Sequence, residues 1–236
     1  MTQSAGVIEP ELSTDRRSVR TRSALVEALA DEALSVGDLG RVTVTAVAER
    51  AGLTRRSFYT HFKDIPDLVA YAEHQELLEL KALVKNLVST DLDGLSDALQ
   101  TLNPSPGSIE LLEHIRNNGT LYLALLGEGG DVAFIEKIKV LVREVAAPRA
   151  LDGIDSRAIG SFFDYYLTFV VSAECGVLVR WLSGGMRESN EVMARIMTAL
   201  MFVRPGDLYG RQIDISLPLY GLALMQLTHQ EEQHVS

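Results

Sequence analysis

One stretch, TVTAVAERAGLTRRSFYTHFKDIPDL from Thr43 to Leu68, constrains the fold more than any other part of the chain. Thr43 can N-cap a short helix through its hydroxyl. Val44, Val47, Ala48 and Ala51 then share one helical face. Ala48 is small where a second helix must cross closely. Gly52 suits the left-handed residue that ends a helix, a conformation costly for other residue types. Leu53 fills the angle between helices, Thr54 caps the second helix, and Phe58 points inward one turn later. Phe62, Ile65 and Leu68 tie the pair to a following helix. A small residue, a turn glycine, a cap and a buried apolar residue in this order describe a helix-turn-helix.

The outward positions of the second helix are Arg55, Arg56, Ser57, Tyr59, Thr60 and His61, with Lys63 just beyond. Such donors suit phosphates and base edges. Arginine can make a bidentate contact to guanine, whereas tyrosine, threonine and lysine more often hold phosphate. A solvated charged face is the bland alternative, and two arginines alone would not displace it. The turn pattern beside them points to double-stranded DNA.

Charge agrees with a localised interface. The 236 residues carry a net charge of −10. Residues 16 to 63 nevertheless hold nine Lys and Arg against five Asp and Glu, and the remainder thirteen against twenty-seven. An acidic body with a basic head suits a protein that touches DNA at one end, not one that coats it. Arg16, Arg17 and Arg20 cluster at the start of the first helix, where phosphate contact and a solvated face are equally open readings.

No segment shows period-two alternation, so the chain reads as all-α. Residues 1–14 read as a mobile tail, and a first helix spans 15–36, with Leu25, Leu29, Ala33 and Val36 as its apolar stripe. Further helices are expected over 66–88, 92–102, 108–126, 132–147, 157–182 and 189–203. Between them lie breakers such as Asn103-Pro104-Ser105-Pro106-Gly107, Gly127-Glu128-Gly129-Gly130, Pro148 and Gly184-Gly185. Cys175 is the single cysteine, which excludes an intrachain disulfide and fits a reducing compartment. The N-terminus lacks a secretory pattern. The most apolar run, 165–182, is interrupted by Glu174 and Arg180 and reads as a buried helix, not a membrane span. A cytoplasmic location is the expectation.

The quoted motifs resemble the tetracycline-repressor (TetR) family of bacterial transcription regulators. The likeness begins at DRRSVRTRSALVEALADEAL (15–34) and runs through Ala51-Gly52-Leu53-Thr54 and Phe58-Tyr59-Thr60-His61-Phe62 to the next long helix. It implies that Arg55, Arg56 and Ser57 approach bases while Thr43, Tyr59, His61 and Lys63 grip the backbone. Arg17, Thr54 and Thr60 complete the expected DNA-binding set. The body, through IELLEHIRNNGTLYLALLGEGGDVAFIEKI and the Trp181-Leu182-Ser183-Gly184-Gly185 turn, is similar to the regulatory domain of TetR-type proteins of Gram-positive bacteria. That likeness implies an N-terminal three-helix DNA-binding domain over 15–64, followed by a helical ligand-binding and dimerisation domain over 65–236. It also implies a homodimer through 157–182 and 189–203. The chain departs from the family pattern after about 204, where an added segment includes a helix expected beyond Pro218.

No catalytic constellation is visible, and neither a cofactor nor a metal is called for. The GEGG run lacks the strand and spacing of a dinucleotide fingerprint, and there is no nucleophile elbow. His229 and His234 with Glu231 and Glu232 read as a solvated tail. Candidate linings for an effector pocket are Tyr71, His74, Tyr122, Phe134, Phe162, Tyr166 and Trp181, although aromatic residues at helical spacing are mostly plain core. Glu174 stands out because a carboxylate buried without a partner would cost several kcal/mol. Pairing with a cation, a wet dimer seam and a ligand contact all remain open for it; Cys175 beside it reads as inert. The expectation is a non-enzymatic, homodimeric regulator, most simply a repressor, that binds a near-palindromic operator and responds to a small molecule. The alternative is a similar regulator whose body binds a partner protein.

Overall fold

The computed structural model describes residues 10–89, 92–101, 103–150 and 161–201. Helices account for the regular structure, and no strand occurs among the described residues. They are α1 (Pro10–Val36), α2 (Val44–Arg50), α3 (Arg55–His61), α4 (Ile65–Leu87), α5 (Leu92–Thr101), α6 (Ser108–Asn117), α7 (Gly119–Leu126), α8 (Val132–Ala150), α9 (Ser161–Ser183) and α10 (Asn190–Leu200). A 3-10 turn, Leu39–Arg41, links α1 to α2.

The chain divides into two compact units. One holds residues up to Glu76 together with Asn118–Phe134; the other holds Leu77–Asn117 and the chain from Ile135 onward. The start of α4 and the whole of α7 fold with the head.

In the first unit, α1 packs on α2 and α7. Its stripe Leu25, Ala28, Leu29, Ala30 and Ala33 is buried, as are Val47 and Ala48 of α2, Phe58 of α3, Phe62, and Leu68 and Ala72 of α4. Leu121, Tyr122, Ala124 and Leu125 of α7 join this core with Phe134. A buried side chain of the size of Phe or Leu contributes about 1.5–3 kcal/mol of hydrophobic stabilisation. Packing, not propensity, thus holds seven-residue helices that would not persist alone.

In the second unit, α10 packs on α5 and α6. Met193, Ala194 and Thr198 face inward, and Leu111, Leu112 and Ile115 of α6 are buried. Leu167, Val171, Cys175, Trp181 and Leu182 give α9 its buried side. Arg116 anchors the turn between α9 and α10. Its guanidinium donates to Asn190 Oδ1 (2.7 Å), Met186 O (3.1 Å) and Glu188 O (2.6 Å), and it lies 4.9 Å from the Trp181 ring centroid. The turn needs that support, because Met186 holds a positive φ of 49°, uncommon outside glycine.

Three expected boundaries are corrected. The first helix starts at Pro10, not Asp15; proline is suited to the first helical position because its missing N–H would be unsatisfied there anyway. The single helix expected over 108–126 is broken at Asn118 (φ −101°, ψ 20°), where an Asn-Gly pair disfavours continuation. Pro148 does not end α8, which continues to Ala150. Residues 157–160, 202–203 and the segment from 204, with the helix expected after Pro218, lie outside the described residues.

Candidate nucleic-acid interface

The reading pair is assembled by short-range chemistry. Thr43 Oγ1 accepts from Ala46 N (3.2 Å) and caps α2. Gly52 takes φ +67°, and Leu53 N donates to Ala48 O (2.8 Å), which closes the turn. Thr54 Oγ1 accepts from Ser57 N (3.1 Å) and lies 2.9 Å from Ser57 Oγ. Beyond α3, Asp67 Oδ2 accepts from Lys63 N and Asp64 Oδ1 from Asp67 N, both at 2.9 Å. The second bond satisfies an amide that the start of α4 would leave orphaned, and the first ties the approach to α4 onto its first turn.

Phe58 is fully buried. Tyr59 stands edge-on to it with ring centroids 5.6 Å apart, and Phe62 lies 5.9 Å away. This inward anchor turns the opposite face of α3 to solvent. Arg55, Arg56, Tyr59, Thr60 and Lys63 are exposed, and Ser57 and His61 half-buried. Thr43, Thr54 and Arg17 are exposed as well. The Thr60 hydroxyl donates to Arg56 O (3.0 Å).

Ion pairing separates structural from available cations. Arg50 is tied to Glu32 by two bonds to one carboxylate oxygen, at 2.9 and 2.7 Å, joining α2 to α1. No carboxylate among the described residues pairs with Arg55, Arg56 or Lys63. The face keeps its positive charge. Arg41, exposed at the end of the 3-10 turn and two residues before Thr43, extends it. Sequence reasoning passed over Arg41, although a basic residue just ahead of an N-cap was a usable signal.

The pocket candidates divide between the units. In the first, Tyr122 and Phe134 are buried. The Tyr122 hydroxyl is held far above its ordinary pKa by burial, then by the neighbouring Glu76, to which it hydrogen-bonds. Glu73 and Glu76 are themselves buried. Tyr71 packs 5.3 Å from Phe62, with the Arg22 guanidinium 5.6 Å over its ring, and His74 is exposed. In the second, Tyr166 is exposed and Trp181 is covered by Arg116. Phe162 falls in the first turn of α9, and its side chain lies outside the described residues. Glu174 is half-buried, and burial pushes its carboxyl up to about 7, so it is neutral in mildly acidic solution. Burial likewise raises the Cys175 thiol to about 11, against the opposing charge of Lys139. A thiol held protonated in this way is a poor nucleophile.

A tight helix-turn-helix with an unneutralised basic face defines a DNA-binding regulator. Comparison with known proteins gives the same class. Residues 26–72 match the model described as bacterial regulatory proteins, tetR family. Residues 103–202 match that described as transcriptional regulator C-terminal region. An uncharacterized HTH-type transcriptional regulator, YxbF, of Bacillus subtilis (strain 168) is 26% identical over 201 residues, covering 80% of this chain and 47% of the relative. The chain thus spans about half the length of that curated relative. Among solved structures, the fatty acid degradation regulator FadR from Bacillus halodurans superposes with a TM-score of 0.46 at 11% identity, covering 83% of this chain and 96% of that one. The chain belongs to the TetR family of transcription regulators and carries its helix-turn-helix DNA-binding domain.

Proposed function

We propose that the chain acts as a homodimeric, ligand-responsive repressor that reads a near-palindromic operator. The observation that carries this reading is the exposed basic surface of α3 and of Lys63 just beyond it: Arg55, Arg56 and Lys63 are left without carboxylate partners among the described residues. Within the head, residues 15–64 do the reading, and the remainder of the chain, 65–236, serves regulation and dimerisation. Arg55, Arg56 and Ser57 approach base edges; Arg17, Thr43, Thr54, Tyr59, Thr60, His61 and Lys63 hold the backbone, joined by Arg41.

One helix-turn-helix reads few base pairs, so selectivity calls for two, with reading helices roughly 34–36 Å apart on one DNA face. Dimerisation is supported by the apolar stripes that α9 and α10 expose, Tyr165 and Phe169 on the one and Val192, Ile196 and Leu200 on the other. A cytoplasmic location follows from the DNA target. The effector half of the reading rests on the buried polar set Glu73, Glu76 and Tyr122, unusual in an otherwise apolar core. An effector there changes DNA affinity only through its differential affinity for the two conformations.

Selection of genomic fragments by the purified protein at moderate salt tests the reading. One or a few near-palindromic sites are expected; recovery of only unselective DNA would count against a specific ligand-free repressor. With such a site in hand, Arg56→Ala is expected to weaken binding by about 1–3 kcal/mol and to relax preference at one base position. Lys63→Ala should weaken binding to all sequences alike and flatten the salt dependence. Sequence preference left intact by Arg56→Ala would remove that residue from the reading set.

A further inference from the structure

The loop that follows α7 makes a backbone junction with the head. Leu39 N, in the 3-10 turn, donates to Gly129 O at 2.8 Å. Gly129 holds φ +78°, and a Cβ there would run into the Gly37 carbonyl oxygen and stand 2.9 Å from Asp38 Cα. Gly37 is itself left-handed (φ +70°). The loop is shaped from its own side too. Asp131 N donates to Leu125 O (2.8 Å) and Gly130 N to Gly127 O (3.1 Å), while a Cβ at Gly130 would strike Leu125 O. Two glycine turns therefore meet with no side chain between them. Backbone-to-backbone contact of this kind leaves little freedom for adjustment.

The residues just after the junction belong to the expected phosphate grip. Asp38 Oδ1 accepts from Gly40 N (2.8 Å), Arg41 N donates to Asp38 O (3.1 Å) and Val42 N to Leu39 O (3.2 Å). This chain of short bonds passes the position of Leu39 on to Arg41 and Thr43, both exposed. We propose that the Gly127–Asp131 loop is a positioning element for DNA binding: by clamping the turn between α1 and α2, it fixes Arg41 and Thr43 where they meet the phosphate backbone. The proposal rests on the reading that this head binds DNA. Without the clamp, the 37–43 segment gains freedom that it must surrender on binding. The loss falls on phosphate contacts, which carry no sequence information.

Gly129→Ala is the test, with wild-type protein measured first on the selected operator and on unrelated DNA of equal length. The expected result is a folded variant whose affinity falls by about tenfold on both DNAs, leaving their ratio unchanged. Amide exchange should quicken at Leu39 and not within α3. Unchanged affinity overturns the proposal, as does a fall confined to the operator, which would mean that the loop acts on base reading. If the variant does not fold, exchange in the wild type decides. A Leu39 amide as protected as those of α7, and more so on DNA, supports the clamp; exchange at the rate of an open turn overturns it. A wild type that binds neither DNA refutes the DNA-binding reading itself, and the proposal with it, before any variant is compared.

Discussion

Replacing Phe58 with alanine is expected to cost the head about 3–5 kcal/mol of stability and to abolish operator binding under conditions where the wild type binds. The ring is fully buried and meets both Tyr59 and Phe62. It is also the inward anchor of a seven-residue helix whose outer face is polar. Removing it takes away apolar transfer energy and leaves a cavity that a helix held at its start by the Thr54 cap and the Gly52 turn cannot collapse to fill. Such a loss is a large share of a typical domain stability of about 5–15 kcal/mol. Amide exchange over residues 44–61, followed with temperature, would report local loosening before any global transition. Tyr59→Phe is the control: the tyrosine is exposed, so stability should hold while DNA affinity drops by the worth of its hydroxyl contact. Wild-type exchange rates over 44–61 in Phe58→Ala would mean that the head draws its rigidity from elsewhere.

The helix-turn-helix was legible because its determinants are local. Thr43, Ala48, Gly52, Thr54 and Phe58 do their work within a few residues of themselves, and the caps and the positive φ stand where the sequence indicates. The break at Asn118 was less legible, since high apolarity on both sides masks a two-residue signal. The assignment of 118–134 to the head was not legible at all. It depends on Leu121, Tyr122 and Leu125 packing with α1, and apolar periodicity says that a face is buried without saying against what.

The candidate site divides in the same way. That Arg56 and Thr60 face solvent follows from helical geometry, which sets them opposite Phe58. That Arg50 is removed from the free cations follows from Glu32, eighteen positions away, and no spacing rule connects the two. The Trp181 ring carries the Arg116 guanidinium, which also braces the turn at Met186, and no spacing rule connects residues that far apart. The GEGG run read correctly as a loop; its docking on Gly37 depends on backbone shape, which composition does not encode. Glu174 lies off the exposed stripe of α9, and burial alone accounts for its raised pKa.

If the proposed dimer forms through α9, Phe169→Glu is expected to convert it into a monomer and to lower operator affinity by about a hundredfold or more. Tyr165 and Phe169 are 72% and 70% exposed, Tyr166 is 45% exposed, and Ala173, Gly176 and Arg180 continue the same face of α9. On α10, Val192, Ile196 and Leu200 repeat at helical spacing and are each about 40% exposed. Aromatic side chains of this size bury about 150–250 Å² each when covered, so the stripes are costly to leave in water. Length and composition alone would let residues 163–183 cross a bilayer. A regulator that must engage DNA favours a second copy as the cover. Small residues on the stripe agree: a Cβ at Gly176 meets nothing within 4 Å, which leaves room for a close helix crossing. A glutamate at 169 stays solvated in the monomer, so the helical signal and melting of the isolated subunit should not change. In the dimer it would bring two carboxylates into a desolvated seam, at a cost of several kcal/mol. Sedimentation reads the subunit state directly. The salt dependence supplies the second reading, because a monomer engages fewer phosphates and its slope of log affinity against log salt should be correspondingly shallower. A Phe169→Glu protein that remains dimeric with an unchanged salt slope would move the seam off α9; a wild type found monomeric would leave paired reading helices without a physical basis.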